Sequence, residues 1–158
     1  MSGIRVRIAQ HAVAKGYGEL VAPALGSCVA IALHDASVGV GGLAHVLLPS
    51  SVGYRGGRPA KFVDTAVTHL LDEMAALGAG PTIVAKLAGG ASMFASLIGG
   101  GGVNVGARNV EAARRALADA GVPIVAEDVG GEHGRTVALQ IRSGRLAVRS
   151  LTNGHVEL

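Results

Sequence analysis

The 158-residue sequence predicts a single α+β domain over residues 1–158, with mixed or antiparallel β-sheets packed against two main helices. Three observations predict this class. Two segments have helical periodicity, short apolar runs typical of strands lie in groups between and around them, and no repeat or linker divides the chain. Because hairpin signals occur near both ends, we expect an α+β arrangement instead of a doubly wound sheet.

The composition excludes several classes of protein. The chain has 49% hydrophobic and 16% charged residues, which argues against disorder. Its 25 glycines have no period of three, so it is not collagen-like. The longest uncharged run, residues 87–107, contains seven of them and is too interrupted for a membrane span. The first residues lack the apolar core of a signal peptide, and one Cys suits a reducing cytoplasm, so we expect a cytoplasmic protein.

The positive charge does not indicate nucleic-acid binding. The 14 Lys and Arg residues give a net charge of +3, but they are scattered, with Arg114 and Arg115 the one adjacent pair. Aromatic residues for base stacking make up 3% of the chain. The basic balance is therefore interpreted as solubility, or as mild attraction to an acidic partner.

The first third of the chain predicts an early strand and a hairpin. Alternating Ile4, Val6 and Ile8 predict a half-buried strand, whereas residues 12–25 form a looser stretch. Residues 29–33 are a continuous apolar run typical of a buried strand, and residues 43–48 are another. The short link with Gly41 and Gly42 between these runs suggests that they form a hairpin.

Helices and further strands follow. Apolar residues at helical spacing predict helices over residues 63–77 and 107–120, which end near Gly78 and Gly121. Residues 50–59 read as a surface loop, and Ser143-Gly144 reads as a hairpin turn between the last two predicted strands. The remaining strands are expected at residues 82–87, 124–129, 136–141 and 146–151.

The candidate chemistry depends on Cys28 and His45. Gly26 and Ser27 precede the thiol and can form a tight turn whose backbone N–H groups point at an oxyanion. His45 lies 17 residues further on, in the second run of the hairpin, so it can meet Cys28 and act as its base. The alternatives stay open: Cys28 as a small buried hydrophobe and His45 as a core histidine.

No metal-binding or phosphate-binding motif occurs in the sequence. The remaining histidines show neither H-x-H nor H-E-x-x-H pairing, so we expect no metal site, and no glycine motif for phosphate binding occurs. Residues 99–102, four consecutive glycines, are interpreted as a local loop expansion. These histidines are His11, His34, His69, His133 and His155.

Six segments of the chain form a distinctive series, followed by Gly134-Arg135. They are LGSCVA at residues 25–30, LAHVLLP at 43–49, KFVDTAV at 61–67, AGGASMF at 88–94, NVGARNV at 104–110 and EDVGG at 127–131. In this order, over residues 25–135, they resemble the CheD family of chemoreceptor glutamine deamidases.

The resemblance implies a cysteine amidohydrolase that needs no cofactor and converts Gln side chains of methyl-accepting chemoreceptor helices to Glu. Cys28 matches the family nucleophile and His45 the general base. A family Thr, six residues before the Cys, is replaced here by Ala22. The resemblance also implies a fold similar to cysteine-hydrolase toxin deamidases.

A surface loop bears on how a substrate would reach the site, and the resemblance leaves alternative functions open. The loop at residues 50–59 is a candidate rim that contacts the receptor through Tyr54, Arg55 and Arg58, or it is an ordinary solvated loop. The resemblance also implies binding to a CheC-type phosphatase. The main rival is therefore a regulatory partner of that phosphatase with little or no catalysis, and a third option is an amidase for free small molecules.

Overall fold

The computed structural model describes residues 3–93 and 104–158, and these residues form ten strands and two α-helices. A single 3-10 turn at Pro59–Lys61 precedes the first helix. The elements are β1 (Gly3–Arg5), β2 (His11–Lys15), β3 (Glu19–Leu25), β4 (Val29–Asp35), β5 (Val40–Val46), α1 (Val63–Ala76), β6 (Val84–Gly89), α2 (Val105–Asp119), β7 (Ile124–Val129), β8 (Arg135–Gln140), β9 (Leu146–Ser150) and β10 (Gly154–Glu157).

The strands form two mixed five-stranded sheets. The first has the order β1-β3-β8-β9-β10 and the second the order β2-β5-β4-β6-β7. The pairs β1–β3 and β6–β7 are parallel, whereas the other neighbouring strands are antiparallel. The predicted α+β class is confirmed, and so is the hairpin of β4 and β5.

The second sheet is the middle layer, because its two faces belong to different apolar clusters. Val29, Ile31 and Leu33 of β4 pack with the apolar faces of both helices. Ala30 and Ala32, on the opposite face of the same strand, pack with residues of the first sheet. Every residue of β4 and β5 is buried, which explains why both read as continuous apolar runs.

Small residues allow the two sheets to approach closely. Gly41 of β5 faces Ile141, and a Cβ at Gly41 would lie 2.8 Å from the Ile141 Cδ1 atom. The expectation that Gly41 and Gly42 lie in the hairpin link is therefore wrong: β5 begins at Val40, and the turn uses residues 36–39. These two glycines serve close packing within a strand.

Both predicted helices are confirmed within two residues at each end. Helix α1 ends before Gly78, which has a φ of +99° and closes the last turn. Helix α2 begins at Val105, and the side chain of Asn104 accepts a hydrogen bond from the Ala107 N–H at 3.0 Å. The glycine block at residues 99–102 lies outside the described residues.

Residues 12–25, which the sequence indicated as a looser stretch, instead hold most of β2 and all of β3, so that interpretation is wrong. The Ala-rich β2 has no strong apolar alternation, and Pro23 argues against a strand at the level of sequence. The β3–β8 register shifts between Ala22 and Leu25, so Pro23 sits in a bulge where no ladder hydrogen bond is needed.

The chain ends also differ from expectation. The predicted half-buried strand through Ile4, Val6 and Ile8 is shorter, because β1 ends at Arg5. Of these three residues Val6 is buried, whereas Ile4 and Ile8 are about half exposed. Strand β10 was not predicted, because all four of its residues are exposed and carry no apolar pattern. The strands predicted at residues 82–87, 124–129, 136–141 and 146–151 are confirmed with small shifts of their ends.

Candidate active site

The turn that carries Cys28 is held by backbone hydrogen bonds to the end of β6. Cys28 directly precedes β4 and is 5% exposed. The Gly90 N–H donates to the Cys28 carbonyl oxygen at 2.8 Å, and the Ala91 N–H donates to the Gly26 carbonyl oxygen at 2.9 Å. Gly26 and Ser27 form a bend before β4, and these two hydrogen bonds fix its position from the end of the neighbouring strand, whereas its role as an oxyanion-binding turn stays a prediction.

The close approach of β6 to this turn requires glycine. Gly89 and Gly90 have φ values of +102° and +64°. A Cβ at Gly89 would overlap the Cys28 carbonyl oxygen, and a Cβ at Gly90 would overlap a methyl group of Val110. Any other residue at these positions would push β6 or α2 away from the turn before Cys28.

His45 lies on the same face of the hairpin as Cys28. Ala30 pairs directly with His45, and Cys28 lies two positions before Ala30. Cys28 and Ala30 belong to the apolar cluster between the two sheets, as does Leu43, which lies two positions before His45. Cys28 and His45 are therefore diagonal cross-strand neighbours, a relation with Cα atoms about 7–8 Å apart and within reach of long side chains.

A backbone carbonyl orients the His45 imidazole. The Nδ1 atom lies 2.9 Å from the carbonyl oxygen of Val6, which can only accept, so Nδ1 carries the proton and donates. The Nε2 atom is then the acceptor of the neutral ring. It is buried without a hydrogen-bond partner among the described residues. No hydrogen bond joins Nε2 to the Cys28 thiol or to any other described group, so the imidazole presents an unused lone pair on the buried face of the hairpin that it shares with Cys28.

Burial keeps both groups neutral near pH 7. Burial raises the pKa of the Cys28 thiol, and the Cys28 backbone N–H, which donates to its own sulfur, offsets this only in part. Burial lowers the pKa of His45 from 6.5, against the smaller opposing effect of the hydrogen bond to Val6. The resting pair is accordingly thiol and imidazole, with no charge separation.

Asn109 is a residue of the site that sequence reasoning missed. Its Nδ2 atom donates to the Ser27 carbonyl oxygen at 2.9 Å and to the Leu47 carbonyl oxygen at 3.0 Å. One buried amide of α2 thus connects the turn before Cys28 with the end of the strand that carries His45. The available signal was its spacing, because residue 109 lies on the same helical face as Ala113.

Ala22 lies in the interior close to this pair. Its side chain is fully buried in β3 and belongs to the same inter-sheet cluster as Cys28. It contributes a methyl group at the position where the family resemblance leads us to expect the hydroxyl of a Thr. The Nδ1 hydrogen bond of His45 goes instead to Val6, so the orientation of the imidazole does not depend on a side chain at position 22.

The loop residues Tyr54, Arg55 and Arg58 are exposed between β5 and the 3-10 turn. The Tyr54 and Phe62 rings lie 5.1 Å apart, and the Lys61 ammonium lies over the Tyr54 ring. None of the three is among the described residues that line the cleft next to Gly26. Their role as a substrate rim stays a prediction.

An open cleft of about 870 Å³ begins beside the Cys28 turn. Gly26 and Met93 form one wall, and the start of β8 and the end of β9 form the others. The described lining residues are Ala24, Leu25, Gly26, Met93, His133, Gly134, Arg135, Thr136, Arg149, Ser150, Leu151 and Thr152. Cys28 and His45 are not among these described lining residues, so the cleft borders the segment before the nucleophile candidate and not the thiol itself.

Within residues 3–93 and 104–158, no three His, Cys, Asp or Glu side chains are arranged to hold a metal ion. The described helices are too short or too polar to cross a bilayer.

An α+β fold with Cys and His diagonal to each other on a buried hairpin face defines a candidate cysteine hydrolase. Comparison with known proteins is more specific. The family model described as CheD chemotactic sensory transduction matches residues 47–150. This chain belongs to the CheD family, and the resemblance found in the sequence is confirmed.

Named relatives cover nearly the whole chain. The chemoreceptor glutamine deamidase CheD of Thermotoga maritima is 45% identical over 150 residues, which are 94% of this chain and 92% of that protein. A Thermococcus kodakarensis protein named "Probable chemoreceptor glutamine deamidase CheD" is 46% identical over 97% of this chain and 96% of its own. A second protein with that name, from Pyrococcus horikoshii, is 44% identical over 99% of this chain and 97% of its own. The segments aligned with these relatives extend over positions 28 and 45, which precede the segment matched by the family model.

Proposed function

We propose that this protein is a chemoreceptor glutamine deamidase, a cysteine amidohydrolase that converts Gln side chains of receptor helices to Glu in bacterial chemotaxis. Family membership and the names of the relatives support the activity. The observation that carries the mechanism is the diagonal placement of Cys28 and His45, with the lone pair of His45 Nε2 free. Residues 1–158 form one CheD-like deamidase domain in this proposal.

Acylation follows from the neutral resting pair. His45 Nε2 accepts the proton of the Cys28 thiol as the sulfur attacks the side-chain carbonyl carbon of Gln. The tetrahedral intermediate carries a negative oxygen, which backbone N–H groups of the turn formed by Gly26, Ser27 and Cys28 stabilise. The carbon–nitrogen bond then breaks, Nε2–H protonates the leaving nitrogen, and ammonia departs to leave a thioester.

Deacylation reverses these roles. His45 Nε2 removes a proton from water as its oxygen attacks the thioester carbon, and the carbon–sulfur bond breaks. The proton on Nε2 returns to the Cys28 sulfur, and the product is a Glu side chain, which ionises in water. Because the Val6 carbonyl holds Nδ1–H throughout, the same Nε2 atom faces the reacting groups in both half-reactions. No step requires a cofactor or a metal.

The proposed substrate indicates where the protein acts and what its reaction changes in the receptor. Receptor helices that undergo methylation lie in the cytoplasm, so we infer that the protein acts there. Each conversion replaces a neutral amide with a carboxylate, which adds one negative charge and one acceptor site for methylation. Binding to a CheC-type phosphatase is a further partner relation proposed from family membership. The remaining expectation is that the protein acts without nucleic acid or membrane insertion.

The decisive experiment follows deamidation by mass spectrometry. A cytoplasmic chemoreceptor fragment is incubated with wild-type protein, Cys28→Ala, His45→Asn and the matched control His155→Asn, whose histidine is exposed in β10. We expect conversion of specific Gln residues by the wild type and the control, and loss of conversion in the other two. Equal conversion by Cys28→Ala and wild type would contradict the mechanism.

The rival function predicts a different result. A regulatory partner of a CheC-type phosphatase would leave every Gln intact with all four proteins and still bind the phosphatase. Ala22 favours this alternative, because the family resemblance implies a catalytic Thr at this position and Ala has no hydroxyl. A small-molecule amidase would instead release ammonia from free glutamine and leave the receptor fragment unchanged.

A further inference from the structure

We propose that the open cleft beside Gly26 binds a carboxylate side chain of the receptor helix that flanks the target glutamine, and so selects which glutamine is deamidated. This inference rests on the proposed deamidase function. It concerns the described lining of the cleft, whose cationic groups have no role in the chemistry at Cys28 and His45.

The position of the cleft relates it to the nucleophile. Gly26 lines the cleft and lies two positions before Cys28, in a turn fixed by the Ala91 N–H. A Cβ at Gly26 would contact the Met93 side chain at 3.4 Å, so this wall is narrow and formed by backbone. A neighbour of the target glutamine on a receptor helix lies within one helical turn, a separation that the cleft and the thiol can bridge.

Arg135 supplies a buried cation whose hydrogen-bonding capacity is mostly unused. The residue begins β8, lines the cleft and is 3% exposed. One terminal nitrogen donates to the Gly89 carbonyl oxygen at 3.3 Å, and the other to Asp128 at 3.4 Å. Both bonds are longer than is usual for a charged group, and Nε has no partner among the described residues. A buried guanidinium in this state favours an incoming anion.

A second guanidinium group lies at the same cleft. Arg149 is exposed there, and no Asp or Glu is among the described residues that line the cleft. The groove between α1 and α2 is a useful contrast, because it is lined by three carboxylates as well as two guanidinium groups. Asp128 contacts Arg135 at 3.4 Å but is not among the described lining residues, so the cleft beside Gly26 presents the guanidinium groups of Arg135 and Arg149, which favour an acidic side chain.

The apolar residues of the cleft fit a polypeptide better than a small free acid. Leu151 is fully exposed at its edge and Met93 is 42% exposed. Both suit contact with aliphatic side chains on the same receptor helix. The occupant is therefore a carboxylate presented by a protein surface, next to the glutamine that enters the thiol site.

The test combines substrate and enzyme variants. The deamidated glutamine of a receptor fragment is first mapped with the wild-type protein, and each Glu or Asp within one helical turn of it is changed to Gln or Asn. These fragments are then assayed with wild type, Arg149→Gln and the matched control Arg142→Gln, which is exposed in the turn after β8. We expect one substrate change to lower kcat/KM about tenfold for wild type, as for one lost charge-assisted contact.

Coupling between the two changes is the decisive readout. Arg149→Gln should lower kcat/KM on the acidic fragment and show little further loss on the neutralised one, whereas Arg142→Gln should behave as wild type. Arg135→Lys, checked for folding by its denaturation midpoint, should give the same loss of discrimination. Equal fold-losses for all enzymes, or none, would overturn the carboxylate site. Absence of any conversion by wild type would instead overturn the deamidase function itself.

Discussion

The Nδ1 atom of His45 lies 2.9 Å from the carbonyl oxygen of Val6, so a backbone group of the first residues fixes the orientation of an imidazole on β5. This bond selects the tautomer with a proton on Nδ1 and a lone pair on Nε2. A backbone acceptor cannot be recognised from residue types, which is why its role is not visible in the sequence. In the proposed mechanism this carbonyl supplies the third group beside the Cys28 nucleophile and the His45 base, a role that the family resemblance would give to a Thr at the position of Ala22.

The pH dependence of deamidation follows from the buried imidazole. His45 acts as a base only when neutral, and burial lowers its pKa from 6.5. We therefore expect the acid limb of the kcat/KM profile to have its midpoint below pH 6.5, with activity rising as pH increases. Steady-state rates on a receptor fragment across the acidic range would show this. A midpoint above pH 6.5 would mean that His45 is stabilised as imidazolium.

The reactivity of the resting thiol gives an independent measurement. Burial raises the pKa of Cys28, so alkylation by iodoacetamide near pH 7 should be slower in the folded protein than in the protein unfolded by urea. Because Cys28 is the one Cys of the chain, the labelled site is unambiguous. Faster alkylation in the folded state would show a resting thiolate, and a neutral pair would then be the wrong starting state for acylation.

Asn109 should affect both stability and turnover as a positioning residue. Asn109→Ala removes the donor to the Ser27 and Leu47 carbonyl oxygens, which should lower the free energy of unfolding by about 1–3 kcal/mol. We expect kcat to fall more than KM rises, because the turn before Cys28 loses its connection to the His45 strand. Urea denaturation and steady-state kinetics measure these effects.

Asn153→Ala is the matched control for Asn109, since Asn153 is exposed in the turn before β10. Its free energy of unfolding and its kinetics should stay close to wild type. A stability loss in Asn109→Ala without any change in kcat would assign Asn109 a purely structural role.

Restoring the family hydroxyl at position 22 should not raise activity. Ala22 is fully buried between the sheets, so Ala22→Thr adds atoms to a packed core and should cost about 1–3 kcal/mol of stability. The smaller Ala22→Ser should cost less. Because Val6 already accepts the Nδ1 proton, we expect no gain in kcat/KM from either variant. A marked gain would show that the backbone carbonyl is an inadequate replacement for the family Thr.

Acid stability should depend on Asp35. Hydrogen bonds from the Gly80 N–H and from the hydroxyls of Ser37 and Thr82 hold its pKa well below the usual 3.8, despite the opposing effect of burial. The folded state thus favours the carboxylate, and this stabilisation is present above pH 3.8 and is lost as the pH falls through the lowered folded-state pKa. We expect Asp35→Asn to lower stability near pH 7 by about 1–3 kcal/mol and to differ less from wild type in acid. Denaturation midpoints at several pH values test this, and a difference that is independent of pH would contradict it.

Much of the fold follows from local patterns. The two helices, the β4–β5 hairpin and the late strands have the apolar periods and turn residues that their structures require. Strands β2 and β3 do not, because β2 is rich in Ala and β3 contains Pro23. Their stability comes from pairing with distant strands and from a bulge, both of which are properties of the assembled sheets.

The candidate site was predictable to a smaller extent. Spacing along the hairpin suggested that Cys28 and His45 are neighbours, and the strand register places them diagonally across it, without a hydrogen bond between them. Asn109 and the Val6 carbonyl act across 82 and 39 positions of chain, and no local pattern encodes contacts of that range. The cleft beside Gly26 likewise combines residues from β3, β8 and β9 that become neighbours only after the first sheet has formed.

Strand β1 has a significance out of proportion to its length. It pairs with β3 through only three residues, and the next residue, Val6, donates its N–H to Val21 and accepts from His45. A strand of three exposed residues can open locally at low free-energy cost, even where the remainder of a domain stays folded. Opening of β1 would release the imidazole while both sheets persist. In the proposed mechanism, catalytic competence and global folding are then separable, and the fraction of correctly aligned base reports on the pairing of β1 with β3.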